Sequence, residues 1–88
     1  MEYQLDFTDK AKEDIDLHKK SGNKAVLNKL LTLLDELTEH PFTGTGKPEP
    51  LKHNLAGMWS RRINREHRLI YEIEKNTVFI LSAKGHYL

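Results

Sequence analysis

The chain opens with a loose alternation from Glu2 to Phe7 that puts Tyr3, Leu5 and Phe7 on one face, a pattern that predicts a first strand. Thr8 follows with a side chain suited to capping a helix, and Asp9 sits where a negative charge favours the helix start. That helix is expected to run to about Lys20, with Ala11 and Ile15 on its apolar side, and to end at Ser21-Gly22. Asn23 can cap a second helix. Its stripe of Val26, Leu27, Leu30, Leu31, Leu33, Leu34 and Leu37 recurs at helical spacing, which makes it the core helix of the domain rather than a zipper. The helix must stop before Pro41.

Residues 40–50 hold three prolines and two glycines and read as an ordered loop. Alternation then returns over Met58–Ile63 and Arg68–Ile73, and Val78–Leu81 is rich in strand formers. Turn residues lie between these runs at Asn64-Arg65-Glu66 and Lys75-Asn76. The order predicts a single α+β domain over residues 1–88: strand, two helices, then a small antiparallel sheet of three to four strands, with the helices on one face.

Composition narrows the class. With 38% hydrophobic and 31% charged residues, the 88-residue chain is globular rather than disordered. The absence of cysteine excludes disulfides, thiolate metal sites and a cysteine nucleophile. No run is apolar and long enough to span a membrane, and the start lacks a signal-peptide pattern, so a cytoplasmic location is expected. The net charge of +1 conceals an asymmetry. Residues 1–45 carry six Lys/Arg and nine Asp/Glu; residues 46–88 carry eight and four. Lys47, Lys52, Arg61, Arg62, Arg65 and Arg68 crowd the second half, a concentration that either forms a solvated basic face or attracts a polyanion such as nucleic acid.

The five histidines show no metal-binding spacing, and Gly44-Thr45-Gly46-Lys47 lacks the Ser/Thr and helix of a phosphate loop, so no metal and no cofactor are expected. Carboxylate, histidine, arginine and lysine remain, the set that cleaves RNA without a metal: a base for the ribose 2′-hydroxyl, an acid for the leaving 5′-oxygen, and cations for the phosphorane. Strand parity places Trp59, Arg61 and Ile63 toward the helices. Arg61 is awkward there and is expected at a strand edge, its stem buried and its head in solvent. Arg62 falls on the opposite face, where it can meet Arg68 from the next strand, while Leu69, Tyr71 and Ile73 form an apolar row.

The runs G-T-G-K-P-E-P-L-K (44–52), W-S-R-R-I (59–63), E-H-R-L-I-Y (66–71) and the near-terminal His86-Tyr87 closely resemble, in order and spacing, the YoeB/Txe family of toxins. The resemblance implies a RelE-like fold and cleavage of messenger RNA in the ribosomal A site, with 2′,3′-cyclic phosphate and 5′-hydroxyl ends. By position, it makes Glu49 the general base, His86 the general acid and Arg68 the stabiliser of the phosphorane. It makes Lys52, Arg62 and Tyr87 supporting residues around the RNA. It further implies a neutralising antitoxin of the YefM/Axe type, operator DNA bound only through that antitoxin, and a ribosome partner; a homodimer is left open. Gly85 stands where the family usually has a bulkier residue, which suggests a looser backbone before the acid.

Simpler readings accompany each residue. Glu49 is also a plausible solvated loop acid, Arg68 a surface partner for Glu49 or Glu66, and Tyr87 a core residue. Trp59 is assigned to the core, and His53 and His67 stand behind His86 as alternative acids. RelE-like folds also occur in toxins that poison a topoisomerase without cutting RNA, so the fold alone leaves a non-catalytic RNA- or ribosome-binding module as the alternative.

Overall fold

Thr8 and Asn23 start the two helices as their side chains predict. In the computed structural model, which describes residues 2–85, Thr8 Oγ1 accepts from Ala11 N at 3.1 Å and Asn23 Oδ1 from Val26 N at 3.1 Å. Each bond satisfies an amide that the helix cannot pair internally. Helix α1 spans Asp9–Ser21 and ends on Gly22, whose φ of 77° is the left-handed conformation that glycine adopts most cheaply. Helix α2 spans Lys24–Leu37. Strand β1 (Gln4–Phe7) precedes them; β2 (Glu49–Pro50), a single 3-10 turn (His53–Leu55), β3 (Met58–Arg62), β4 (Arg68–Glu74) and β5 (Thr77–Ser82) follow.

The sheet has five strands in the order β1-β5-β4-β3-β2, not the three or four expected. The added strand is β2, two residues inside the proline-rich segment. It pairs Glu49 with Ser60 and Pro50 with Trp59 at the sheet edge, where a residue without an N–H is tolerated. The sheet is also mixed rather than antiparallel, because β1 runs parallel to β5, from Gln4 opposite Thr77 to Phe7 opposite Ile80. Parallel neighbours need a long crossover, and everything between Thr8 and Asn76 supplies it.

The core forms where one face of the sheet meets the helices. Ala11, Val26, Leu30, Leu33, Leu34 and Leu37 pack against Ile63, Leu69, Tyr71, Val78, Ile80 and Ala83, with Tyr3, Leu5, Phe7, Trp59 and Ile73 at its margin. Leu30, Leu33, Leu37 and Leu69 are fully buried. At roughly 1.5–3 kcal/mol each, they contribute on the order of 6–12 kcal/mol as an upper bound. Two connections are tight. Asn64 Oδ1 accepts from the amides of Glu66 and His67, at 2.8 Å each, in the β3–β4 turn, and Lys75 takes φ 57° in the β4–β5 turn.

Candidate functional site

Two arginines meet across β3 and β4 as strand parity predicts: Arg62 and Arg68 are directly paired in the ladder. Glu49 joins them from β2. It lies opposite Ser60, two residues from Arg62, so the alternation of side chains puts Glu49, Arg62 and Arg68 on the same face of the sheet, away from the helices. The Glu49 carboxylate lies 3.6 Å from Arg68 Nη1. At that separation the pair attracts without a well-formed hydrogen bond. The Glu49 side chain is 54% exposed and that of Arg68 only 18%, so the acid faces solvent while the guanidinium beneath it is held by the sheet.

Lys52 is exposed and shares with Glu49 a groove of about 280 Å³ walled by Pro50, Leu51, His53, Asn54 and Leu55. Arg62 opens onto a second groove of about 460 Å³, lined by Lys29, Gly46, Lys47, Ile63, Asn64 and Arg65. Basic side chains therefore flank Glu49 and Arg68 on both sides, a surface that complements a polyanion. His86 and Tyr87 lie outside the described residues. The described chain ends at Gly85, whose carbonyl accepts from the Arg68 amide at 3.0 Å. Among the described residues, no three carboxylate or histidine side chains converge as a metal-binding set.

Arg61 corrects the expectation from sequence. It does not reach solvent; it is completely buried. Its Nε donates to Tyr71 Oη at 3.1 Å and its Nη1 to Glu36 Oε1 at 3.0 Å and the Thr45 carbonyl at 3.4 Å. Its Nη2 donates to the Thr43 carbonyl at 2.7 Å and to that of His40. Tyr71 in turn donates to the Pro41 carbonyl at 3.0 Å. One guanidinium thus ties the 40–45 loop to the sheet, and that loop leads into Glu49. Hydrogen bonding from Thr45, followed by the charge of Arg61, holds the Glu36 carboxyl below its ordinary pKa. Burial raises the Tyr71 phenol above its own. The signal in the sequence was the arginine inside an apolar row; its partners, mostly loop carbonyls, carry no residue signature.

The other expectations resolve individually. Trp59 is half-buried at the core margin and meets the exposed Phe42 edge-on at 5.2 Å. His53 is exposed in the 3-10 turn at φ 59°. His67 is engaged by the backbone: its Nδ1 accepts from Gly85 N at 3.0 Å. Asp14 and His18, which sequence reasoning passed over, are buried in α1 at 4% exposure each.

A two-helix layer on a five-stranded mixed sheet, with an acid and two arginines on the open face, defines a RelE-like α+β toxin fold. It superposes on a YoeB/ParE toxin from Agrobacterium tumefaciens with a TM-score of 0.89 and 32% identity, covering 96% of this chain and 99% of that one. The family model for the YoeB-like toxin of bacterial type II toxin–antitoxin systems matches residues 7–87, and the chain belongs to that family. Toxin YoeB of Escherichia coli K12 is 44% identical over 71 residues, 81% of this chain and 84% of that protein. The Staphylococcus aureus YoeB has been solved as a dimer (39% identity, TM-score 0.82) and in complex with YefM (40%, 0.81); in each case 99% of this chain and all of that one are covered.

Proposed function

We propose that the chain is a ribosome-dependent endoribonuclease that cuts messenger RNA in the A site without a metal. The observation that carries this reading is the approach of Glu49 to Arg68, 3.6 Å apart and brought from separate strands, with Arg62 beside them on the same face of the sheet. Glu49, exposed and carried by a rigid Pro-Glu-Pro segment, takes the proton of the ribose 2′-hydroxyl. The 2′-oxygen then bonds to phosphorus. The bond from phosphorus to the 5′-oxygen breaks, and that oxygen leaves with its electron pair and a proton from His86. Arg68 stabilises the charge that develops on the phosphorane, and Lys52, Arg62 and Tyr87 hold the strand around it. The products are a 2′,3′-cyclic phosphate and a 5′-hydroxyl.

The action on ribosomes places the chain in the cytoplasm. The YefM complex of the staphylococcal relative supports a YefM-like antitoxin as partner, with an acidic segment that covers Arg62, Arg68 and His86. Operator DNA is reached only through that antitoxin.

Primer extension on purified programmed ribosomes, combined with analysis of the product ends, tests the reading. A-site cuts with cyclic phosphate ends, lost by about 10²–10⁴-fold in Glu49→Ala, are expected. A folded wild-type protein that cuts at no A-site codon would instead make it a non-catalytic binding toxin.

A further inference from the structure

Strand β5 ends at Ser82, and among the described residues the backbone beyond it continues outside the ladder. It is held nonetheless. Ala83 is fully buried; its amide donates to Asp14 Oδ2 at 3.0 Å, and its carbonyl lies 2.7 Å from His18 Nε2. Asp14 and His18 are one turn apart on α1 and so present to the same side. Two residues on, the Gly85 amide donates to His67 Nδ1 at 3.0 Å, and the Gly85 carbonyl accepts from the Arg68 amide at 3.0 Å. The His18 and His67 rings pack edge to face at 4.7 Å, so the two holds form a single structure.

The chemistry of each partner is specified. A carbonyl only accepts, so His18 carries its proton on Nε2; an amide only donates, so His67 keeps the lone pair of Nδ1. A buried carboxylate and imidazole stabilise a core less well than apolar residues of the same size. Such a cluster serves to define a position. The position it defines is that of Gly85, the residue immediately before His86. Arg68 joins the same construction to the base, since its amide holds Gly85 while its guanidinium faces Glu49.

We propose that Asp14, His18 and His67 are positioning residues for the general acid: together they clamp Ala83 and Gly85 and so set where His86 delivers its proton. The clamp supplies the rigidity that a glycine before the acid would otherwise remove. This inference rests on the reading of His86 as the acid, and its test separates the two.

The experiment compares single-turnover cleavage of ribosome-bound messenger RNA carrying either the natural A-site phosphodiester or one with sulfur in place of the 5′-bridging oxygen. A thiol ionises near pH ~8.5, so the thiolate leaves without needing a proton from an acid. On the natural substrate, His67→Ala and His18→Leu are expected to cleave about 10–100-fold more slowly, with half-saturating ribosome concentration within about twofold of wild type. On the sulfur substrate both are expected within about threefold of wild type, as is His86→Ala, because the acid's contribution is no longer required. His67→Asn keeps an acceptor and His18→Gln a donor, and both are expected to recover most of the natural rate. Melting curves establish that each variant is folded at the assay temperature, and either of the two sites alone suffices for the test. If His86→Ala is rescued by sulfur but the clamp variants stay equally slow on both substrates, or lose ribosome affinity in step with rate, the clamp is overturned while the acid stands. If His86→Ala cleaves normally, or is not rescued, the assignment of the acid fails and the clamp's role falls with it.

Discussion

Replacing Arg61 with methionine should loosen the 40–45 loop and destabilise the whole domain. Methionine retains much of the apolar stem but removes a charge and every donor. Five acceptors lose a donor: Glu36, the carbonyls of His40, Thr43 and Thr45, and the Tyr71 hydroxyl. Removing one member of a buried ion pair costs about 3–5 kcal/mol. Here the Glu36 side chain is 25% exposed and the loop residues His40, Thr43 and Thr45 are exposed, so water recovers part of that loss. A net loss of about 3 kcal/mol is expected, against a total of about 5–15 kcal/mol for such a domain. At about 4–8 °C per kcal/mol, the melting midpoint falls by roughly 12–24 °C. Urea titration followed by far-ultraviolet circular dichroism measures the loss. Trp59, the single tryptophan, meets Phe42 in the tethered loop and reports locally by fluorescence. Arg61→Lys, which keeps the charge but not the fork of donors, should fall between. A methionine variant within about 0.5 kcal/mol of wild type, the range of an exposed ion pair, would refute the account of Arg61 as the tie of the loop.

Glu36→Gln should flatten the acid limb of the stability curve. The Glu36 carboxyl titrates lower in the fold than its ordinary 4.5, so the stability it contributes is complete above that pH and is lost as the pH falls through the folded value; urea titrations from pH 3 to 7 would show no difference in slope if this is wrong. Gly46→Ala should cost on the order of 1–3 kcal/mol, since φ is +84° and the new methyl lies 2.9 Å from the Arg62 carbonyl oxygen. Gly22→Ala, also at positive φ but with open space around it, should cost only about 1 kcal/mol, and equal midpoints in urea for the two variants would contradict the difference. Arg62→Gln should weaken ribosome binding and reduce the slope of log affinity against log salt by about 1; an unchanged slope would place Arg62 away from phosphate.

The features legible in the sequence were those whose causes are local. Thr8 and Asn23 cap because their own oxygens reach the amides three residues on, and the leucines of α2 share a face because helical spacing puts them there. Arg62 and Arg68 could be brought to one face from alternation alone, and the ladder pairs them. The remaining features depend on partners distant in the chain. Two residues of a proline-rich loop become β2 only because Ser60 and Trp59 offer them an edge. Nothing in Gln4–Phe7 states whether it runs with or against β5. Arg61 was expected to extend into water because a buried arginine is expensive; five acceptors, from α2, the 40–45 loop and β4, offset that expense. Asp14 and His18 read as ordinary polar positions on α1 until Ala83 is placed against them. Neither His86 nor Tyr87 falls within the described residues, so their roles rest on the family pattern and on the proposed mechanism.

The parallel pairing of β1 with β5 has a consequence for synthesis. Strand β5, the last of the described strands in chain order, lies inside the sheet, between β1 and β4, rather than at its edge. Until Thr77–Ser82 is available, β1 has no partner, β4 exposes an open edge, and Val78 and Ile80 are missing from the core. A chain interrupted between Arg68 and Thr77 holds Glu49, Arg62 and Arg68 but lacks the strand that closes the sheet beside them. The strand order therefore makes the face that holds these three residues depend on a strand synthesised after all of them.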